Sequence, residues 1–158
     1  MIKVLFVCLG NICRSPTAHG VFEQVAAEQI KNQLLVVDSC GTAAWHIDNP
    51  PDNRSTLAAK TRGFELSHLR ARQLSDRDFY DFDYILAMDK ANLKDIQAVA
   101  PNDTRAHISL FLDFSDIPRD EVPDPYYGGD QGFEQVLDLV ESASHGLLAH
   151  MLTRNVLS

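Results

Sequence analysis

The sequence predicts an α/β fold built on a mostly parallel sheet, and three observations carry that prediction. Apolar runs alternate along the chain with stretches of helical period. The first run, Ile2-Lys3-Val4-Leu5-Phe6-Val7, is nearly all apolar, the pattern of a strand buried on both faces. It leads straight into Cys8-Leu9-Gly10-Asn11-Ile12-Cys13-Arg14-Ser15-Pro16, which reads as a tight loop and a helix start. Strands separated by helices imply βαβ units with right-handed crossovers.

The elements follow in order. Ser15 is the expected N-cap of the first helix, with Pro16 at its first position. Ala18, Val21, Phe22, Val25 and Ala26 then recur at three- and four-residue steps and form one helix face. Leu34-Leu35-Val36-Val37 reads as the second strand. Residues 55–62 read as a short helix closed by Gly63. Ser75-Asp76-Arg77-Asp78 marks another helix start. Residues 84–88 are the third strand, and 90–100 a helix ended by Pro101. Residues 107–112 are the fourth strand candidate. A long final helix carries Phe133, Val136, Leu137, Val140, Leu147, Leu148 and Met151 on one stripe. There is no internal repeat, low-complexity tract or linker, so residues 1–158 are expected to form one domain.

Composition narrows the function classes. The 45% apolar content is ordinary for a globular chain of 158 residues. No apolar run approaches the ~20 residues that span a bilayer, and the first strand is too short for a signal peptide. Three cysteines are an odd number, which argues against a disulfide scaffold and for a reducing, cytoplasmic compartment. A net charge of −8 argues against nucleic acid as a partner. Any anion site must therefore be local, made by backbone and one or two cations.

The first loop can make such a site. A strand, a tight loop and a helix start aim backbone N–H groups and the positive helix end at one point. That point suits a phosphate or another tetrahedral oxyanion. Cys8 would sit at its floor and Arg14 at its rim. Cysteine attacks as the thiolate, and the loop amides, the helix end and Arg14 all favour that anion. Attack on phosphorus would give a phosphocysteine that water then hydrolyses. Arg14 can hold two equatorial oxygens in fork geometry, and Ser15 can hydrogen-bond the sulfur as it leaves. A lone cysteine after a strand is most often a buried small hydrophobe. Cys-x5-Arg-Ser between a strand and a helix is a far more specific pattern. Two other loops are rich in Pro, Gly and aromatics: residues 45–54, and Asp124-Pro125-Tyr126-Tyr127-Gly128-Gly129. In an open α/β sheet, ligands bind beyond the carboxyl ends of strands, where Cys8 lies.

Val7 through Pro16 resembles the phosphate-binding loop of the low-molecular-weight protein tyrosine phosphatases. Further similarities follow in the same order: Asp38-Ser39-x-Gly41-Thr42, Trp45-His46, Pro51-Asp52, Ala71-Arg72-Gln73, Phe82-Asp83-Tyr84-Ile85, Met88-Asp89, Asn92-Leu93 and Asp124-Pro125-Tyr126-Tyr127. The resemblance spans essentially the whole chain. It implies a three-layer sandwich with a four-stranded parallel sheet, Rossmann-like or flavodoxin-like, with no metal or cofactor. It implies hydrolysis of phosphotyrosine, in proteins or peptides, and of small aryl phosphates. Cys8 is then the nucleophile, Arg14 the phosphate clamp, and Asp124 the general acid and later the base that activates water. Leu9, Gly10, Asn11, Ile12, Cys13 and Ser15 complete the phosphate-binding loop. Asn11 and Ser39 resemble the family's loop supports, and Ser39 either hydrogen-bonds Asn11 or simply caps the end of its strand. Asn11 also tolerates the left-handed backbone that a tight loop needs. Ile12, Trp45, Tyr126 and Tyr127 would wall an aromatic slot too deep for phosphoserine.

The chain also departs from the family pattern. A histidine is usual three residues before the arginine of Ala71-Arg72-Gln73, and that position is Leu69. His68 lies one residue earlier, so either it reaches Ser15 through a shifted backbone or that contact is absent. Cys13 is either the partner of a reversible disulfide with Cys8, as in the family, or a buried thiol without a role. Cys40 reads as packing. Three rival functions stand beside the main one. Arsenate reductases on this fold need two more cysteines midway along the chain, and none follows Cys40. Phosphoarginine phosphatases carry threonine where Ile12 stands. A non-catalytic phosphotyrosine-binding module would be expected to lack Cys8 or Asp124. Nucleic acid and membrane are not expected partners. A monomer is expected, with weak self-association left open.

Overall fold

The computed structural model describes residues 1–30, 35–126 and 128–154. Its four strands form one sheet in the order β2-β1-β3-β4, with every neighbouring pair parallel. The strands are β1 (Ile2–Cys8), β2 (Leu35–Gly41), β3 (Tyr84–Ala87) and β4 (His107–Leu110). The helices are α1 (Arg14–Gln29), α2 (Asn53–Thr61), α3 (Asp78–Asp81), α4 (Lys90–Val99) and α5 (Asp130–Thr153).

Side-chain alternation along β1 divides the core into two layers. Val4, Phe6 and Cys8 face one side, packed with Val21 and Phe22 of α1 and with Val140 and Leu147 of α5. Leu5 and Val7 face the other, packed with Phe79 of α3 and Ile96 of α4. Burial on both faces explains why β1 reads as a continuous apolar run rather than an alternating one. The apolar stripes predicted for the first and last helices are all buried. Phe6 anchors the larger layer, edge-on to Phe22 and Phe111 with ring centres 5.7 and 4.8 Å away.

Several boundaries differ from the sequence expectation. Ser15 does not cap α1: the helix begins at Arg14 after Cys13, and no side chain caps it. The Ser15 hydroxyl is engaged instead by Cys8 and Asn11, and Pro16 still falls in the first turn, where its missing N–H costs nothing. Leu34 lies outside the described residues, and β2 runs on to Gly41 because its whole length pairs with β1. The second helix starts at Asn53, since the Asp52 carboxylate accepts the Arg54 N–H at its N-terminus. Gly63 ends that segment with φ +87°, a left-handed conformation suited to glycine. β4 stops at Leu110, and Phe111–Phe114 turn into a 3-10 helix that carries Phe111 into the core.

Candidate active site

The strand order reverses between β1 and β3, and the first loop lies at that point. β1 and β3 are adjacent, and connections leave them toward opposite sides, so a crevice opens at their carboxyl ends. Cys8 is the last residue of β1. The segment after β2 holds the loop's first residues, with Thr42 N–H on the Cys8 carbonyl (2.9 Å) and Ala43 N–H on the Leu9 carbonyl (3.0 Å). Gly41 lies so close beneath the loop that a Cβ there would meet the Leu9 carbonyl at 2.7 Å.

The loop turns at Asn11, which adopts the left-handed conformation expected of it, with φ +57°. That turn brings the Asn11 N–H to 3.3 Å from Cys8 Sγ. The Asn11 side chain is tied at both ends. Its Oδ1 accepts the Arg72 N–H (3.0 Å) and its Nδ2 donates to Ser15 Oγ (2.7 Å). Ser15 Oγ lies 3.0 Å from Cys8 Sγ. Arg72 is itself anchored through its guanidinium, which meets both Asp78 oxygens (2.9 and 3.0 Å) and Asp38 (3.0 Å).

Arg14 is buried, with its guanidinium held by two acceptors. Nη1 donates to Asp89 Oδ2 (2.6 Å) and to the Val122 carbonyl (3.1 Å). Nη2 faces Asp124 Oδ2 at 3.7 Å. Burial works against the Arg14 charge, but the Cys8 sulfur and the Asp89 and Asp124 carboxylates raise its pKa above the ordinary value. The other Asp89 oxygen, Oδ1, accepts the Asn92 N–H and caps α4. Asp124 keeps an exposed side chain, and its Oδ1 accepts the Tyr126 N–H at 3.0 Å.

These groups surround a cavity of about 280 Å³. Cys8, Leu9, Gly10, Ile12, Cys13 and Arg14 line its inner part; Trp45, His46, Asp124 and Tyr126 line its outer part. The predicted walls Ile12, Trp45 and Tyr126 are therefore brought together, and Trp45, 71% exposed, forms a rim rather than a buried side. Tyr127 lies outside the described residues. All three cysteines are free thiols, and burial pushes the Cys13 thiol up to about 12. Among the described residues, no group of three or more His, Cys, Asp or Glu side chains is arranged to hold a metal ion.

Two expectations about loop support need correction. Ser39 does not bond Asn11; it lies within β2, and its Oγ meets His19 Nδ1 at 3.1 Å. The strand's pleat directs Ser39 toward α1, while Asn11 finds its partners in Arg72 and Ser15. His68 is exposed and Leu69 packs against the larger core, so the partner that reaches Ser15 is Asn11 and not a histidine. Arg72, Asp89 and His46 were assigned no part in the site by sequence reasoning. Asp89 had a signal, an aspartate just before a helix. His46 and Arg72 lie in the family-like motifs Trp45-His46 and Ala71-Arg72-Gln73, but nothing in their local sequence says which loop they will face.

The fold and the site together define a class: an α/β protein with a cysteine thiol at the carboxyl end of an inner parallel strand, lining a cavity that a buried arginine also lines. Residues 3–157 match the family model described as low molecular weight phosphotyrosine protein phosphatase. The chain is 48% identical over 134 residues to the low molecular weight phosphotyrosine protein phosphatase of Schizosaccharomyces pombe, covering 84% of this chain and 85% of that one. Among solved structures, it is similar to a protein tyrosine phosphatase from Entamoeba histolytica holding Hepes in its active site. The TM-score is 0.93 at 38% identity, covering 99% and 100% of the two chains. It is also similar to the Drosophila arginine phosphatase DARP, with TM-score 0.87, 32% identity and coverage of 94% and 97%. The chain belongs to the low molecular weight phosphotyrosine protein phosphatase family.

Proposed function

We propose that this protein hydrolyses phosphotyrosine in proteins and peptides, and small aryl phosphates, through a phosphocysteine on Cys8. One observation carries the assignment of roles: Cys8 Sγ lies at the inner end of the cavity with Asn11 N–H and Ser15 Oγ within 3.3 and 3.0 Å. A nucleophilic sulfur needs such donors, because they stabilise it as an anion before attack and as a leaving group afterwards.

In the first step, Cys8 sulfur forms a bond to phosphorus while the bond to the phenolic oxygen breaks. Asp124 delivers its carboxyl proton to that oxygen. Arg14, held rigid by Asp89 and Val122, points Nη2 at the space between thiol and acid. There it can bind the equatorial oxygens as negative charge spreads over them. In the second step, Asp124 takes a proton from water, water attacks phosphorus, and the sulfur leaves with the Ser15 hydroxyl beside it. Leu9, Gly10, Ile12 and Cys13 supply the remaining wall of the anion cradle. Ile12, Trp45 and Tyr126 receive the ring, which suits an aryl group better than a guanidinium. The three free cysteines suit a reducing, cytoplasmic setting.

Turnover of a phosphotyrosine peptide, a phosphoserine peptide, phosphoarginine and phenyl phosphate, by wild type and Cys8→Ser, tests the reading. The phosphotyrosine peptide and phenyl phosphate are expected to be hydrolysed, and only when Cys8 is present. Preference for phosphoarginine would favour the other activity named among the similar structures. Turnover that survives loss of Cys8 would remove the covalent route.

A further inference from the structure

Asp124 sits in a segment without helix or strand, yet its carboxylate must meet a departing oxygen within hydrogen-bonding distance. Something has to hold that segment against the nucleophile loop. We infer that Arg54 is the positioning residue for Asp124, a clamp that fixes the acid-bearing segment to the anion loop. This inference rests on the reading of Asp124 as the general acid.

The clamp is built from both the edge and the face of one guanidinium. On its edge, Arg54 Nε and Nη2 each lie 3.1 Å from an oxygen of Asp52. Nη2 also donates to the Tyr126 carbonyl at 3.0 Å. On its faces, the guanidinium carbon lies 5.4 Å from the Tyr126 ring centre and 4.8 Å from that of Phe133, near the start of α5. Asp52 in turn donates its N–H to the Ile12 carbonyl of the anion loop (2.8 Å). Tyr126 donates its N–H to Asp124 Oδ1 (3.0 Å). A circuit therefore runs from Ile12 through Asp52, Arg54 and Tyr126 to Asp124, and closes on Arg14 at 3.7 Å.

Arg54 does not line the active cavity; it borders a separate outer groove with Leu57 and Phe133. It acts on the reaction only through the residues it holds. Lysine cannot replace it, because a single ammonium cannot grip a carboxylate with a planar fork and lie against two rings at once. The same clamp sets the plane of the Tyr126 ring, one wall of the aryl slot.

The leaving group separates this role from a merely structural one. A phenolate from phenyl phosphate needs the Asp124 proton as its bond to phosphorus breaks. A dinitrophenolate is stable as the anion and leaves without one. Loosening the acid should therefore slow the first substrate and spare the second. For Arg54→Ala we expect kcat/KM on phenyl phosphate to fall about 10-fold or more, with less than about 3-fold loss on 2,4-dinitrophenyl phosphate. Arg54→Lys should give the same selective loss, and it carries the test if the alanine variant does not fold. Inhibition by inorganic phosphate should stay near wild type in both, since the cradle around Cys8 is untouched. Asp124→Asn serves as the reference, and its loss should be selective in the same sense. If Asp124→Asn is selective while both Arg54 variants slow the two substrates equally, or neither, the clamp is refuted. If Asp124→Asn shows no selectivity, the acid assignment fails and the clamp fails with it.

Discussion

Asn11 Nδ2 donates to Ser15 Oγ at 2.7 Å, and that bond decides where the serine proton points. An oxygen already accepting from Asn11 turns its own hydrogen toward Cys8 Sγ, 3.0 Å away, or toward the more distant Cys40 carbonyl at 3.4 Å. The nearer and more strongly charged acceptor is the sulfur whenever it is a thiolate. On the proposed mechanism, Ser15 is thus set to stabilise sulfur as it leaves phosphorus. Ser15→Ala should slow the second step by roughly 10²-fold and the first step far less, since the Asn11 N–H still holds the thiolate. Rapid mixing with p-nitrophenyl phosphate would then show a burst of nitrophenol equal to the enzyme concentration. A linear time course with no burst would count against this role.

Asp89 serves Arg14 and the α4 N-terminus with different oxygens, so two substitutions separate its roles. Asp89→Asn keeps an oxygen for the Asn92 N–H but removes the charge facing Arg14. We expect it to fold while phosphate inhibition weakens at least about 10-fold, as Arg14 loses its anchor. Asp89→Ala leaves a buried guanidinium without its carboxylate and removes a helix cap. It should lower stability by about 3–5 kcal/mol, read by urea denaturation. Equal stability of the two variants would show that the cap and the charge were wrongly divided.

Gly41 has no room for a methyl group. The obstacles are the Leu9 carbonyl at 2.7 Å and, at 3.2 Å each, the Asn11 nitrogen and the Ala43 carbonyl. All three are backbone atoms that cannot rotate away. Gly41→Ala should therefore lift the anion loop and cost about 1–3 kcal/mol. Activity should fall further than stability, because the loop's donors must match a small anion. Wild-type phosphate affinity in this variant would mean that β2 yields instead of the loop.

The Cys13 thiol is held in its neutral form by burial, with its pKa pushed up to about 12 from an ordinary 9.0. A raised pKa makes a contribution to stability that is complete below the unfolded value and is lost as pH rises through the folded one. That window runs from about 9 to about 12 for this residue. At about pH 8, iodoacetamide should therefore label Cys8 and spare Cys13 until the protein is denatured. Fragment-ion mapping of the peptide that contains both residues would distinguish them. Equal labelling of the native protein would place Cys13 in water.

Much of the fold was legible because its signals are local. β1 reads as an apolar run because helices cover both its faces, and α1 and α5 read as stripes because each buries one side. The boundaries that moved did so where tertiary contacts outweighed local preference. Ser15 has the composition of a cap but serves the thiol, and β4 gives up Phe111 to the core through a 3-10 turn. The catalytic candidates were legible for a different reason. Cys8 and Arg14 belong to a motif whose residue types are rarely combined by chance, and Asp124 stands out only through the family resemblance.

Beyond Asn11 and Ser15, what supports those residues was not legible. Arg72 is 61 residues from Asn11, Asp89 is 75 from Arg14, and Arg54 is 72 from Tyr126. No periodicity or capping rule links positions so far apart. From local signals alone the chain reveals its alternation of strands and helices, the tight loop after the first strand, and the residues proposed to act on phosphorus. Only the tertiary structure decided which side chains hold that loop. A hydrogen bond or ion pair depends on positions within a few tenths of an ångström, and packing sets those positions after the chain has folded.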